Sequence, residues 1–251
     1  MTSKHICKIE VIPWDHSSPD HVQRMHDQRV ACGWRADEVP EWIESAKRGG
    51  KMFYWAVLAE DVPNRNELLA QHIATQPKEA EPLRDTAQEV RLAKREPTGR
   101  DFLPVGHVAL DVHDPEEDAK LGLPAGTVWV HQLFISNALQ GGGYGAATMA
   151  KVESIAAQEP MNGKWMALDT LAKEVPAEMG SMTIDVGMGN IVPVTSKEEW
   201  YARQGYETYR QGHGYTYQAP DGRNIQLRVS YMKKRINGED TKCATPGLSN
   251  T

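Results

Sequence analysis

Apolar and polar residues interleave from Ile6 to Ile12 until Pro13 ends the run, which predicts a first strand. Pro19-Asp20 then opens a helical segment to about Cys32, with Val22, Met25, Arg29 and Val30 at helical spacing and Gly33 as its C-cap. A second helix follows from Glu38 to about Lys47, closed by Gly49-Gly50. Phe53 to Glu60 is almost continuously apolar and aromatic, the pattern of a strand buried on both faces. Asp61 to Asp101 breaks the rhythm. It is rich in Pro, Glu, Lys, Arg and Gln, and predicts a long surface insertion with room for one short helix; a loop of that length is either mobile or covers a site.

Strand patterns resume at 104–113 and 127–136, separated by the acidic turn Asp114 to Asp118. A glycine-dense stretch follows, then a helix from Ala146 to about Gln158 with Met149, Val152 and Ile155-Ala156 on one stripe. Lys164 to Leu171 predicts another buried strand. Glu174 to Val194 is a Gly- and Met-rich connection, whose part from Gly180 onward could serve as an acceptor-site lid. Ser196 caps a short helix carrying Glu198 and Glu199 in its first turn, stopped by Gly205. The segments 207–218 and 225–234 alternate around Pro220-Asp221-Gly222, a hairpin signal. With no internal repeat and no linker, the pattern predicts one mixed α/β domain over 5–235 and a disordered tail over 236–251.

Composition changes this picture little. The chain has 251 residues, 40% hydrophobic and 25% charged, enough for a sizeable core without disulfides or metals. A net charge of −6 gives no basic footprint, so nucleic acid is not an expected partner. No apolar run approaches the roughly 20 residues that span a bilayer, and no signal segment opens the chain, so a cytoplasmic protein without a membrane partner is expected. Cys7, Cys32 and Cys243 show no paired spacing and predict reduced thiols. His16, His21 and His26 recur every five residues, a spacing that rotates around a helix, so they predict surface positions and no metal site.

The chemistry centres on Gln140-Gly141-Gly142-Gly143-Tyr144-Gly145-Ala146, between a predicted strand and a predicted helix. Glycines let successive backbone N–H groups converge, and a helix N-terminus adds about half a positive charge, so the stretch suits a phosphate. A flexible turn would have the same composition. No Gly-Lys-Ser or Gly-Lys-Thr is present, which disfavours a Walker-type site. A dinucleotide fingerprint over Gly141, Gly143 and Ala146, with Asp169 as its acidic residue, would need strands in βαβ order, whereas those preceding the loop read as an antiparallel meander.

This element order resembles the GNAT superfamily of N-acetyltransferases over roughly residues 5–235. Gln140 to Gly145 matches the family's pyrophosphate signature [Q/R]-x-x-G-x-[G/A], and Tyr201-Ala202-Arg203-Gln204-Gly205-Tyr206 is similar to its later aromatic motif. Cys32-Gly33-Trp34 followed by Trp42 is similar to fungal members. Two features depart from the family: the long insertion, and Thr195-Ser196 where an asparagine is common.

The resemblance implies a mostly antiparallel mixed sheet of six to seven strands flanked by about four helices. It further implies acetyl-CoA as acyl donor, without a metal, and a primary amine as acceptor, attacked directly with both substrates bound. The pantetheine arm would pair with the backbone of Leu133, Phe134 and Ile135, and the pyrophosphate would lie on the amides of Gly141 to Ala146. Tyr201 occupies the family's position for protonating the leaving thiolate. Trp129 stands where some relatives carry a basic carboxylate, so His131, two residues along the same strand face, is the candidate base. Asp169 and Glu174 compete with it. A small-molecule acceptor and a monomer or homodimer are expected. The alternatives are a non-catalytic acyl-CoA-binding protein and a transferase for longer acyl groups.

Overall fold

A computed structural model of the chain describes residues 7–173, 196–218 and 224–237. The Gly180–Val194 segment, Glu174, Thr195, the Pro220-Asp221-Gly222 turn, Cys243 and the tail from residue 238 lie outside them. Seven strands form one sheet: β1 (Ile9–Pro13), β2 (Lys51–Leu58), β3 (Pro104–Asp111), β4 (Thr127–Ile135), β5 (Trp165–Leu171), β6 (Glu207–Gln218) and β7 (Asn224–Arg235). Their order is β1-β2-β3-β4-β5-β7-β6. Every neighbouring pair is antiparallel except β4 and β5, which run parallel at the middle of the sheet.

Helices α1 (Pro19–Cys32), α2 (Val39–Lys47), α3 (Arg65–Thr75), α4 (Pro115–Lys120), α5 (Tyr144–Ala156) and α6 (Lys197–Ala202) join the strands. The apolar run of β2 reflects burial on both sides. Met52, Tyr54, Ala56 and Leu58 enter a core with Met149 and Val152 of α5, while Phe53, Trp55 and Val57 enter a second core with Met25 of α1 and Trp42 of α2. Full burial of a large apolar side chain contributes about 1.5–3 kcal/mol, so both layers are needed to hold the sheet flat against its helices.

Three expectations change. The buried stripe of α1 is largely polar, made of His21, Arg24, Met25, Gln28 and Arg29, while Val30 is exposed. His21 is therefore not a surface residue: its Nε2 meets the Arg84 carbonyl at 2.9 Å, and its Nδ1 accepts from the Asp15 amide and the Trp55 indole. The second concerns the 61–101 stretch, which is better ordered than its composition implied. Helix α3 buries Leu69 in the α5-side core. Beyond it, two short ladders, Leu83–Arg84 with Asp101–Phe102 and Glu89–Val90 with Ala93–Lys94, surround the buried carboxylate of Asp85. Arg95 grips Asp85 with two 2.7 Å hydrogen bonds and Thr98 adds two more. Such polar scaffolding has no hydrophobic period and so leaves no pattern in the sequence.

The cysteines also differ from expectation. Cys7 is disulfide-bonded and Cys32 is a free thiol; bonding depends on which sulfurs the fold brings together, which spacing alone does not reveal. Among the described residues no helix is long and apolar enough to cross a membrane.

Gly106 marks the closest approach of β3 and β4. A Cβ there would lie 2.1 Å from the Phe134 carbonyl oxygen and 3.0 Å from Ile135 Cα, both backbone atoms that cannot swing aside. Gly106→Ala should lower the unfolding free energy by about 1–3 kcal/mol or more, the range for overpacking. Chemical denaturation tests this; an unchanged midpoint would show that the strands can part there without cost.

Candidate active site

The site begins where the sheet fails to close. Parallel pairing of β4 with β5 covers only Thr127↔Trp165, Val128↔Met166 and Trp129↔Ala167, after which the strands diverge. On its other edge β4 carries a bulge: His107 pairs with Phe134 but Ala109 pairs with His131, one residue too many on the β4 side. Gln132, in the bulge, sits at φ 46°, a left-handed conformation that non-glycine residues adopt only when their surroundings enforce it. The result is a wedge in which, among the described residues, the β4 backbone from His131 to Ile135 has no strand partner on the β5 side. Buried amides and carbonyls require partners, and an extended ligand carrying its own amide groups would supply them.

The wedge opens into a groove of about 210 Å³ lined by Leu133, Phe134, Ile135, Thr170, Gln140 and Tyr201 among others. At its far end stands the glycine loop. Gly141 and Gly143 have φ of 83° and 78°, and Gly143 is the N-cap of α5 with no side chain capping it. Gly141 to Gly143 are exposed, and the amides of a helix's first turn have no intrahelical acceptor. A Cβ at Gly142 would meet the Tyr144 ring at 2.4 Å, so position 142 keeps this shape only without a side chain. Gln140 braces it by donating to Asn137 Oδ1 (2.8 Å) and to the Ile135 carbonyl (3.3 Å). Lys8, just before β1, donates to the Gly142 carbonyl at 2.9 Å, setting a cation beside the loop. These are the features an anionic diphosphate requires.

A second cavity, of about 520 Å³, meets the groove: Arg29, Trp34, Gln132, Leu133, Asp169 and Tyr201 line both. At its centre His131 sits between two carboxylates, with Nδ1 2.8 Å from Asp111 and Nε2 3.5 Å from Asp169. Asp111 also accepts from Lys51 Nζ at 2.7 Å. Burial alone would lower the pKa of the imidazole; hydrogen bonds to Asp111 and Asp169 outweigh it and push it up to about 9. Burial likewise opposes ionisation of Asp111, yet its contacts with His131 and Lys51 hold it below the usual carboxylate range. Tyr201, packed edge-on against Trp200 and Tyr206, has its pKa raised by burial and then by the nearby charge of Asp169, so its hydroxyl keeps its proton.

The structure thus brings His131, Asp169 and Tyr201 to one cleft, with Leu133 to Ile135 and the glycine loop along the groove leading into it. Sequence reasoning missed Asp111, Lys51 and Lys8. Trp129 is buried, donates to Asp118 at 2.8 Å and stacks on His131 at 5.5 Å. Its ladder partner is Asp111, so a carboxylate absent from position 129 arrives from across the strand pair. The signal was present: Asp111 is a charged residue in a segment otherwise patterned for burial. Asp111, His113 and His131 also place possible metal-ligand atoms within 4.8 Å of one another. The Lys51 ammonium already supplies a cation at Asp111.

No protein-family model matches the chain, and neither does any curated protein. Solved structures do. A GNAT-family protein from Desulfovibrio desulfuricans is 12% identical with a TM-score of 0.50, covering 91% of this chain and 99% of its own. An aminoglycoside 6′-N-acetyltransferase from Enterococcus faecium is 13% identical with a TM-score of 0.49, covering 91% and 97%. An acetyltransferase from Salmonella typhimurium that modifies the N-terminal serine of ribosomal protein L7/L12 is 9% identical with a TM-score of 0.48, covering 92% and 97%. The chain has the fold of the GNAT acetyltransferases.

Proposed function

We propose that this protein is an N-acetyltransferase that moves the acetyl group of acetyl-CoA to a primary amine of a small molecule, both bound at once. One observation carries this: the groove suited to a pantetheine arm and the cleft suited to an acceptor share Leu133, Asp169 and Tyr201. A thioester at the end of the groove would face an amine held in the cleft, and holding two reactants in contact supplies much of the rate. The donor's diphosphate rests on the amides of Gly141 to Ala146 beside Lys8, and its arm completes the unpaired edge of β4.

The acceptor arrives as an ammonium and must lose a proton before it attacks. His131 accepts that proton in the form that is itself neutral, and the flanking carboxylates of Asp111 and Asp169 stabilise the imidazolium so produced. The amine nitrogen bonds to the thioester carbon, the tetrahedral intermediate collapses, and the C–S bond breaks with its electron pair on sulfur. The surplus proton on nitrogen passes through water to the departing thiolate, giving the amide and the free thiol. Tyr201 donates a hydrogen bond to that sulfur as charge develops. Asp111 restores the carboxylate whose apparent loss at Trp129 favoured a non-catalytic binding protein.

The test is release of free CoA thiol from acetyl-CoA across polyamines, amino sugars and amino acids. Amine-dependent release supports transfer; thermal stabilisation by acetyl-CoA without release for any amine would leave only a binding protein. The pH dependence refines the assignment. A base whose pKa is raised to about 9 is mostly protonated at neutral pH, so kcat/KM should climb as pH approaches 9. Asp111→Asn removes a carboxylate that favours imidazolium, so the inflection should move to lower pH. The acceptor's own ammonium would not shift with that substitution. An inflection that stays in place would exclude His131 as the base.

A further inference from the structure

The charges around the acceptor cleft are already matched, and the balance bears on which amine can enter. Among the described residues, three carboxylates line the cleft: Glu38, Asp111 and Asp169. Each lies beside a basic side chain. Glu38 lies 3.1 Å from Arg35 Nε, Asp111 2.7 Å from Lys51 Nζ, and Asp169 3.5 Å from His131 Nε2. A fourth lining cation, Arg29, is buried and donates to a neutral acceptor, the Trp34 carbonyl, at 2.8 Å. Among the described residues no lining carboxylate is left without a basic neighbour for a second or third ammonium. With His131 neutral, the form that accepts a proton, the lining charges balance and a polycationic amine meets no net attraction.

Arg35 is the outlier. It follows α1 and precedes a short turn of helix, and its backbone lies in the left-handed region (φ 57°, ψ 38°) although it is not glycine. Strained residues of this kind concentrate where a side chain must be aimed. Its side chain is 41% exposed at the cleft, and its ion pair is made through Nε. The outer nitrogens form the planar fork that matches carboxylate and phosphate oxygens. Trp34, Trp129 and Tyr231 add flat aromatic walls to the same cleft.

Building on the transferase reading, we infer that the acceptor is a primary amine carrying its own anionic group, a carboxylate or a phosphate, which docks on Arg35 while the amine meets Asp169 and His131. Arg35 is then a specificity-determining residue: it selects acceptors by charge and takes no part in bond making. The surrounding rings favour a flat or apolar skeleton between the two ends.

The experiment compares amines that differ only in the anion, tryptophan with tryptamine and glucosamine 6-phosphate with glucosamine, alongside spermidine. Two readouts are taken: kcat/KM by thiol release, and affinity by calorimetry with CoA present. In at least one pair the anionic member should exceed its partner by about tenfold or more in both readouts, the size of one charge-assisted hydrogen bond. The responding pair distinguishes carboxylate from phosphate. Arg35→Gln should collapse that ratio, and by releasing Glu38 should improve spermidine relative to wild type; Arg35→Lys should recover part of it. The inference is overturned if spermidine or the neutral members are preferred, if no anionic member binds, or if the ratio survives Arg35→Gln. Arg35-dependent binding of an anionic amine without thiol release would overturn transfer and leave this inference standing. Fast release with spermidine would do the reverse. The wild-type ratios decide the matter even where a variant folds poorly.

Discussion

Gly143→Glu should raise the Kd for acetyl-CoA by about a hundredfold or more, equivalent to some 2.7 kcal/mol. Gly143 is the N-cap of α5 with φ 78°, a conformation that costs other residues about 1–2 kcal/mol. The larger effect is electrostatic. The new carboxylate would lie against the first-turn amides it is able to cap, occupying and repelling at the position the donor's diphosphate requires. An acidic group at a helix N-terminus favours the helix and offsets part of that strain, so the melting temperature of the unliganded protein should fall by no more than a few degrees while its shift with acetyl-CoA disappears. Gly143→Ala separates the two causes, since it carries the strain without the charge and should weaken binding far less. Unaltered acetyl-CoA affinity in the glutamate variant would remove the loop from the donor site.

The second large effect is expected at Tyr201. Its hydroxyl lies where groove and cleft meet, and burial raises its pKa far above that of a thiol. Full transfer of its proton to a thiolate of pKa about 8.5 is therefore uphill, and in the proposed mechanism Tyr201 would act by hydrogen bonding to the sulfur as charge develops there. Removing one such donor costs about a hundredfold or more in kcat. Tyr201→Phe keeps the packing against Trp200 and Tyr206, so KM for acetyl-CoA should hold within about threefold while kcat falls. Steady-state kinetics distinguishes the outcomes: loss in KM alone would make Tyr201 a binding residue, and an unchanged kcat would remove it from the chemistry.

Much of this arrangement could be read from the chain because the relevant signals are local. The strand pattern of β2, the glycine loop and the Ser196 cap each follow from a few adjacent residues, and all three stand where expected. Asp111 escaped notice for the opposite reason. Its role depends on lying across a ladder from Trp129 and beside Lys51 of a third strand, neighbours far away in sequence. His21 was misplaced because α1 turns a polar stripe inward, which a search for apolar period must overlook. The 61–101 stretch hid its order in the Asp85 hydrogen bonds.

The early parting of β4 from β5 reaches beyond catalysis. A sheet with an unpaired seam at its middle is missing a strand, and with acetyl-CoA as that strand the ligand becomes part of what keeps the chain folded. Saturation at a hundred times Kd would add about 2.7 kcal/mol to the unfolding free energy. Protection of β4 and β5 amides from hydrogen exchange should rise with it. If acetyl-CoA is the donor proposed above, survival of the protein against proteolysis in a cell would follow its supply, so that scarcity of acetyl-CoA would lower the amount of protein as well as its rate.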